Sequence, residues 1–231
     1  MLMIDAANAS PYGADRLCSP SVVMMHIFRC IGMALAALAL VCQPAIAAPK
    51  AFLGDEVAMG SPKAPITVIE YGSDACSHCA RFNNDVFPQF KAKYVDTGKV
   101  RYVFREYLTQ PAAFAAAGFL MARCVGQDKY LAVLDDVFHA QDQIYKSQKL
   151  LEGLQTIGAK YGLSKANFDA CVRDPQSNKA LTARHMAADA AGVGGTPTFL
   201  INKERLEGEV TLGDLMLVIE PMLAAMAVNH P

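Results

Sequence analysis

Ile66-Thr67-Val68-Ile69-Glu70-Tyr71-Gly72-Ser73-Asp74-Ala75-Cys76-Ser77-His78-Cys79 is the stretch on which the reading of this chain turns. Its first half is a strand-like apolar run, and its second half opens a segment with helical spacing at Phe82, Val86, Phe87, Phe90 and Tyr94. Two cysteines separated by two residues in a first helical turn stand within bonding reach. The unpaired N–H groups of that turn favour a thiolate on the leading sulfur. Cys76 is therefore the expected nucleophile and Cys79 its partner. A zinc site would need a second ligand pair, and neither another Cys-x-x-Cys nor a His-x3-5-His follows. A purely structural disulfide closing so short a loop would constrain the unfolded chain little. Redox chemistry is the reading that remains, with no metal and no organic cofactor.

Outward toward the N-terminus, residues 24–48 carry Arg29, an apolar core from Ile31 to Cys42, and a small-x-small end at Ala45-Ile46-Ala47. This is the pattern of a cleavable secretory signal. The core is shorter than the roughly 20 residues that a spanning helix needs, and Gln43-Pro44 breaks it. Residues 1–47 are thus read as leader and signal, with translation expected to start at Met24 or Met25. Of the seven cysteines, cleavage removes Cys18, Cys30 and Cys42 and leaves Cys76, Cys79, Cys124 and Cys171. An even number in an oxidising compartment suggests a second, structural disulfide between Cys124 and Cys171, the alternative being two separate buried thiols.

Lysines and arginines number 21 against 22 acids, scattered without a basic stripe, so nothing points to nucleic acid. Residues 48–63, rich in Ala, Pro, Gly and Lys, read as a flexible arm. The pattern beyond is strand (Ile66 to Tyr71), helix with a kink at Pro88, and strand (Val100 to Phe104) after a turn at Gly98. Helical periodicity then runs from Ala112 to Ala191. Breaks are expected near Gly126, over Tyr145 to Gln148, at Gly162-Leu163-Ser164 with Ser164 as N-cap, and at Asp174-Pro175 with Pro175 opening a helix. Thr198 to Asn202 and Arg205 to Gly208 read as strands, and Thr211-x-x-Asp214 as a capping box for a last helix to about Met226. The domain is expected in two parts, 64–110 and 186–231, around a helical insertion at 111–185. That is an α/β fold carrying an inserted all-helical lobe.

Val68 through Cys79, together with Gly195-Thr196-Pro197-Thr198-Phe199, resembles the two signature segments of DsbA-like thiol:disulfide oxidoreductases. The resemblance covers about Gly60 to Met226 and implies a thioredoxin fold with a helical insertion. Ser77 departs from the proline common after the first cysteine, which bears on the redox potential. The resemblance further implies a cis peptide at Thr196-Pro197 facing the cysteines, where an extended substrate could pair by strand addition. It assigns His78 to stabilising the Cys76 thiolate and Glu70 to accepting the Cys79 proton during exchange, against the plainer readings of an exposed helix residue and a solvated strand-end acid. The implied function is a monomeric periplasmic enzyme that oxidises reduced secreted proteins and is itself reoxidised by a quinone-linked membrane partner of the DsbB type. An isomerase or reductase of the same fold, or a thioredoxin-like copper-binding module, are the competing readings.

Overall fold

The computed structural model describes residues 51–229 apart from Leu53 and Asp55. The leader and signal expected at 1–47 lie outside the described residues. Strands β1 (Val57–Met59), β2 (Ile66–Gly72), β3 (Val100–Glu106), β4 (Thr198–Ile201) and β5 (Glu204–Glu207) form one sheet in the order β1-β3-β2-β4-β5. Only β2 and β3 run parallel, and a parallel pair needs a crossover. Residues 77–95 supply it as a helical segment, α1. Within α1, α-helical Ser77–Arg81 and Phe87–Phe90 alternate with π-helical Phe82–Val86 and Lys91–Val95. Pro88 sits in the first turn of Phe87–Phe90. Having no N–H, it cannot continue the regular ladder, and the wider π turn before it absorbs the break. The helix turns its aromatics to the sheet: Phe82 lies 4.6 Å from Phe199 and Phe87 lies 4.8 Å from Tyr102, ring centre to ring centre.

Between β3 and β4 come α2 (Ala112–Val125), α3 (Tyr130–Ser147), α4 (Leu150–Lys160), α5 (Lys165–Arg173) and α6 (Pro175–Ala190). α2 is apolar nearly all round, with Phe114, Ala115, Phe119, Leu120 and Met121 closed from solvent, because the other helices and the sheet cover it. The breaks fall where local chemistry demands them. Gly126 has φ 120° and Gln148 adopts the left-handed conformation. The Ser164 hydroxyl accepts the Asn167 N–H, and the Asp174 carboxylate accepts the Ser177 N–H ahead of Pro175. α7 (Leu212–Asn229) opens on reciprocal Thr211–Asp214 bonds, at 2.9 and 3.2 Å.

Three expected boundaries differ in the structure. The arm at 48–63 contains β1, whose Val57 pairs with Phe104 on β3. A three-residue edge strand is too short to show a period of two, and its partner lies far along the chain. The insertion does not stop at 185, since α6 continues to Ala190, one uninterrupted helix whose end is set by Gly192 at φ 78°. β3 also runs past Phe104 to Glu106, a buried acid at a strand end that would ordinarily be taken for solvated.

Candidate active site

Cys76 occupies the N-cap of α1 with extended backbone, φ −90° and ψ 123°, and Cys79 lies one turn in. Both are free thiols, Cys76 half-buried and Cys79 without exposure. This asymmetry controls their acidity. The Cys76 thiol is pulled down to about 5, first by a hydrogen bond from the Cys79 thiol and then by Thr196 and the N–H groups of Cys79 and His78, which together outweigh its partial burial. Cys79 is pushed well above the usual thiol range, chiefly by burial and next by donating to Cys76. The Ser73 N–H points at the Cys79 sulfur, 3.4 Å away.

Beneath the thiols, Glu70 is 2% exposed on β2. Its neighbours across the ladder are Phe104 and Phe199. Burial pushes its carboxyl up to about 8, against the lowering effect of the Tyr102 hydroxyl, which donates to it at 2.6 Å. It is a neutral acid near pH 7 with a path to charge. Across from Cys76, the Thr196–Pro197 peptide is cis. The Cys76 thiol reaches the Thr196 carbonyl oxygen at 3.3 Å.

Cys76, Cys79, Glu70, Thr196 and Pro197 thus gather at one end of the sheet. His78 stands in the same turn with its side chain exposed, and what lowers the Cys76 pKa there is its backbone N–H. Cys124 on α2 and Cys171 on α5 are elsewhere, joined by a disulfide with Cα atoms 6.3 Å apart. Among the described residues no group of three or more His, Cys, Asp or Glu could hold a metal ion.

Sequence reasoning missed the residues that hold the active loop in place. From α3, the Gln141 amide donates to the carbonyls of Asp74, at 2.7 Å, and Cys76, at 3.3 Å, while the Tyr145 hydroxyl donates to the Ala75 carbonyl at 2.9 Å. Gln141 is the one polar member of the buried α3 stripe Leu134, Val137, Phe138, Gln141 and Ile144. That misfit was the available signal. Asp74 is fully buried with neither carboxylate oxygen bonded among the described residues, and its acidity is suppressed by burial first and the nearby Glu106 second.

A family model described as thioredoxin matches residues 53–220. The chain belongs to the thioredoxin family. Within it the likeness is to DsbA proteins. The crystal structure of α-DsbA1 from Wolbachia pipientis is 29% identical with a TM-score of 0.68, covering 83% of this chain and 98% of that one. DsbA from Chlamydia trachomatis, 19% identical at a TM-score of 0.64 over 80% of this chain and all of its own, shares the fold. A Rickettsia typhi protein with the provisional name protein-disulfide oxidoreductase is 32% identical over 155 residues, 66% of this chain and 57% of that one. The DsbA-like chain therefore spans a little over half the length of that curated relative. Its inserted helices and sheet order are those of a thioredoxin-like domain carrying a helical lobe.

Proposed function

We propose that this chain is a thiol:disulfide oxidoreductase that introduces disulfides into reduced secreted proteins in the periplasm. The observation that carries the reading is the division of acidity between the two thiols: Cys76, half-buried, is pulled down to about 5 while Cys79 is closed off and held protonated. A thiolate that is stable in the free dithiol is a good leaving group, and it makes the disulfide oxidising.

In the oxidised enzyme a substrate thiolate attacks the Cys76 sulfur, forming a mixed disulfide as the bond to Cys79 breaks. The departing Cys79 takes a proton, whose source in this reading is Glu70, the neutral acid that acts on the Cys79 thiol. A second substrate thiolate then attacks the substrate's own sulfur in the mixed disulfide, and Cys76 leaves as thiolate. The substrate loses two electrons and the Cys76/Cys79 pair gains them. Thr196 and Pro197 line the path along which an extended substrate segment would lie. His78 contributes its backbone N–H to the Cys76 sulfur. A quinone-linked membrane oxidase of the DsbB type would return the dithiol to the disulfide, and the enzyme works as a monomer. The Cys124–Cys171 bond serves the helical lobe and takes no part in exchange.

The deciding experiment is the equilibrium potential of the Cys76/Cys79 pair against glutathione. A value well above that of thioredoxin, about −270 mV, supports the oxidase. A thioredoxin-like value assigns the chain to reduction or isomerisation, and stoichiometric Cu(I) binding without oxidase activity assigns it to copper handling.

A further inference from the structure

Three consecutive peptide carbonyls of the active loop are taken by one helix of the inserted lobe. The Gln141 amide donates to Asp74 and Cys76, at 2.7 and 3.3 Å, and the Tyr145 hydroxyl donates to Ala75 between them, at 2.9 Å. The two donors are four residues apart on α3 and so project from one face of it. Gln141 is 1% exposed, and its two bonds offset the cost of burying a primary amide. The Tyr145 ring lies 5.3 Å from that of Phe114 on α2, which fixes where its hydroxyl stands. Burial first, then the charges of Asp74 and Cys76, push that hydroxyl up to about 12, so it is a donor at any pH where the Cys76 thiol titrates.

These bonds bear on the sulfur through the geometry of the peptide plane. In a trans peptide the carbonyl and the N–H point opposite ways. With the Asp74 and Ala75 carbonyls turned to α3, the N–H groups of Ala75 and Cys76 turn back into the loop, onto the Ser73 hydroxyl at 3.3 Å and the Ser73 carbonyl at 3.0 Å. Ser73 in turn directs its own N–H to the Cys79 sulfur. The Cys76 carbonyl accepts the Ala80 N–H at 3.1 Å as well as Gln141, so Gln141 also fixes the first turn of α1. That turn carries the His78 and Cys79 N–H groups that draw down the Cys76 pKa. An uncharged disulfide gains little from such donors, whereas a thiolate gains a charge-assisted bond. Whatever holds them in place favours the dithiol over the disulfide.

We infer that Gln141 and Tyr145 are positioning residues through which the inserted lobe sets the oxidising strength of the Cys76/Cys79 pair. The inference deepens the redox reading of that pair and rests on it. Both residues act through the loop backbone and neither carries a charge, so a variant of either reports the placement of the loop.

Tyr145→Phe, Gln141→Leu and the double variant Cys124→Ala, Cys171→Ala are compared with the native protein by thiolate absorbance of the reduced form and by equilibrium with glutathione. Tyr145→Phe keeps the ring and removes one donor, and raises the Cys76 titration by about half a unit. Gln141→Leu removes two and raises it by about one unit, and the equilibrium constant for oxidising glutathione falls about tenfold, or about 30 mV. The double variant loosens the lobe without touching the clamp and leaves both readings unchanged, which separates positioning from mere stability. If Gln141→Leu does not fold, Tyr145→Phe carries the test. An unchanged titration in Tyr145→Phe, or a shift in the double variant as large as in the clamp variants, would overturn the inference. Clamp variants that shift as expected in a protein whose native potential matches thioredoxin uphold the clamp and reject the oxidase reading alone.

Discussion

The Cys76 thiol and the Thr196 carbonyl oxygen, 120 residues apart in sequence, lie 3.3 Å from each other. The contact joins the helix that opens after β2 to the turn that enters β4, so the reactive sulfur is presented between two chain segments instead of at the tip of one. A substrate reaching it must pass alongside the Thr196 backbone.

The unequal burial of the thiols predicts which mixed disulfide persists. Cys79→Ser leaves the acidic nucleophile and removes the resolving thiol, so substrate proteins accumulate on Cys76. Cys76→Ser leaves only the closed Cys79 and traps nothing. Non-reducing gels followed by mass spectrometry read the outcome, and trapping by Cys76→Ser alone would reverse the roles.

Thiolate absorbance should place the Cys76 titration near 5 in the reduced protein. The lowered pKa comes from the Cys79 thiol, Thr196 and backbone N–H groups, none of which is the imidazole. His78→Ala therefore shifts that titration by less than about one unit, since the backbone donor survives the substitution. Because this pKa is lower folded than unfolded, it favours the folded dithiol fully above the unfolded value, about 8.5. The advantage is lost as pH falls through about 5.

Glu70 has the opposite sign. Its carboxyl is raised from 4.5 to about 8, so its contribution is intact below 4.5 and is lost as pH rises through about 8. Glu70→Gln stays neutral throughout. The thermal midpoint of Glu70→Gln minus that of the native protein, both reduced, should climb from about pH 5 to about pH 8 and then level off. A difference independent of pH would show that Glu70 is not held neutral.

The Cys124–Cys171 disulfide closes a loop of sequence separation 47, for which chain entropy gives about 4 kcal/mol. Cys124→Ala with Cys171→Ala should lower the thermal midpoint by about 10 °C. Oxidase turnover at low temperature should be retained, because the bond lies in the lobe and away from the thiol pair.

A side chain at Gly118 has no place to go. A Cβ there would lie 1.7 Å from Asp74 Oδ2, on the loop that carries Cys76. Gly118→Ala should destabilise the fold by about 1–3 kcal/mol and slow exchange by displacing that loop. Combining it with Asp74→Ala should restore part of both, as measured by denaturant unfolding and insulin reduction.

The local devices of the molecule are legible in its sequence. β2 leading into Cys76-Ser77-His78-Cys79, the Ser164 cap, the helix opening at Pro175 and the Thr211–Asp214 box each depend on a few neighbouring residues, and neighbours are what a sequence displays. Thr196-Pro197 was visible as a motif only beside a family pattern.

What the tertiary structure alone decided rests on groups far apart in the chain. β1 is a strand because β3 lies beside it, and Gln141 is a clamp because the carbonyls of Asp74 and Cys76 face it. Glu106 is buried because Arg123 and Arg184 converge on it from α2 and α6. Whether a polar residue is solvated, paired or left without a partner depends on what packing brings against it. Sequence by itself determined the thiol pair and the helix starts at Ser164, Pro175 and Thr211. Burial, which sets the acidity of Cys76, Cys79 and Glu70, is a property of the assembled fold.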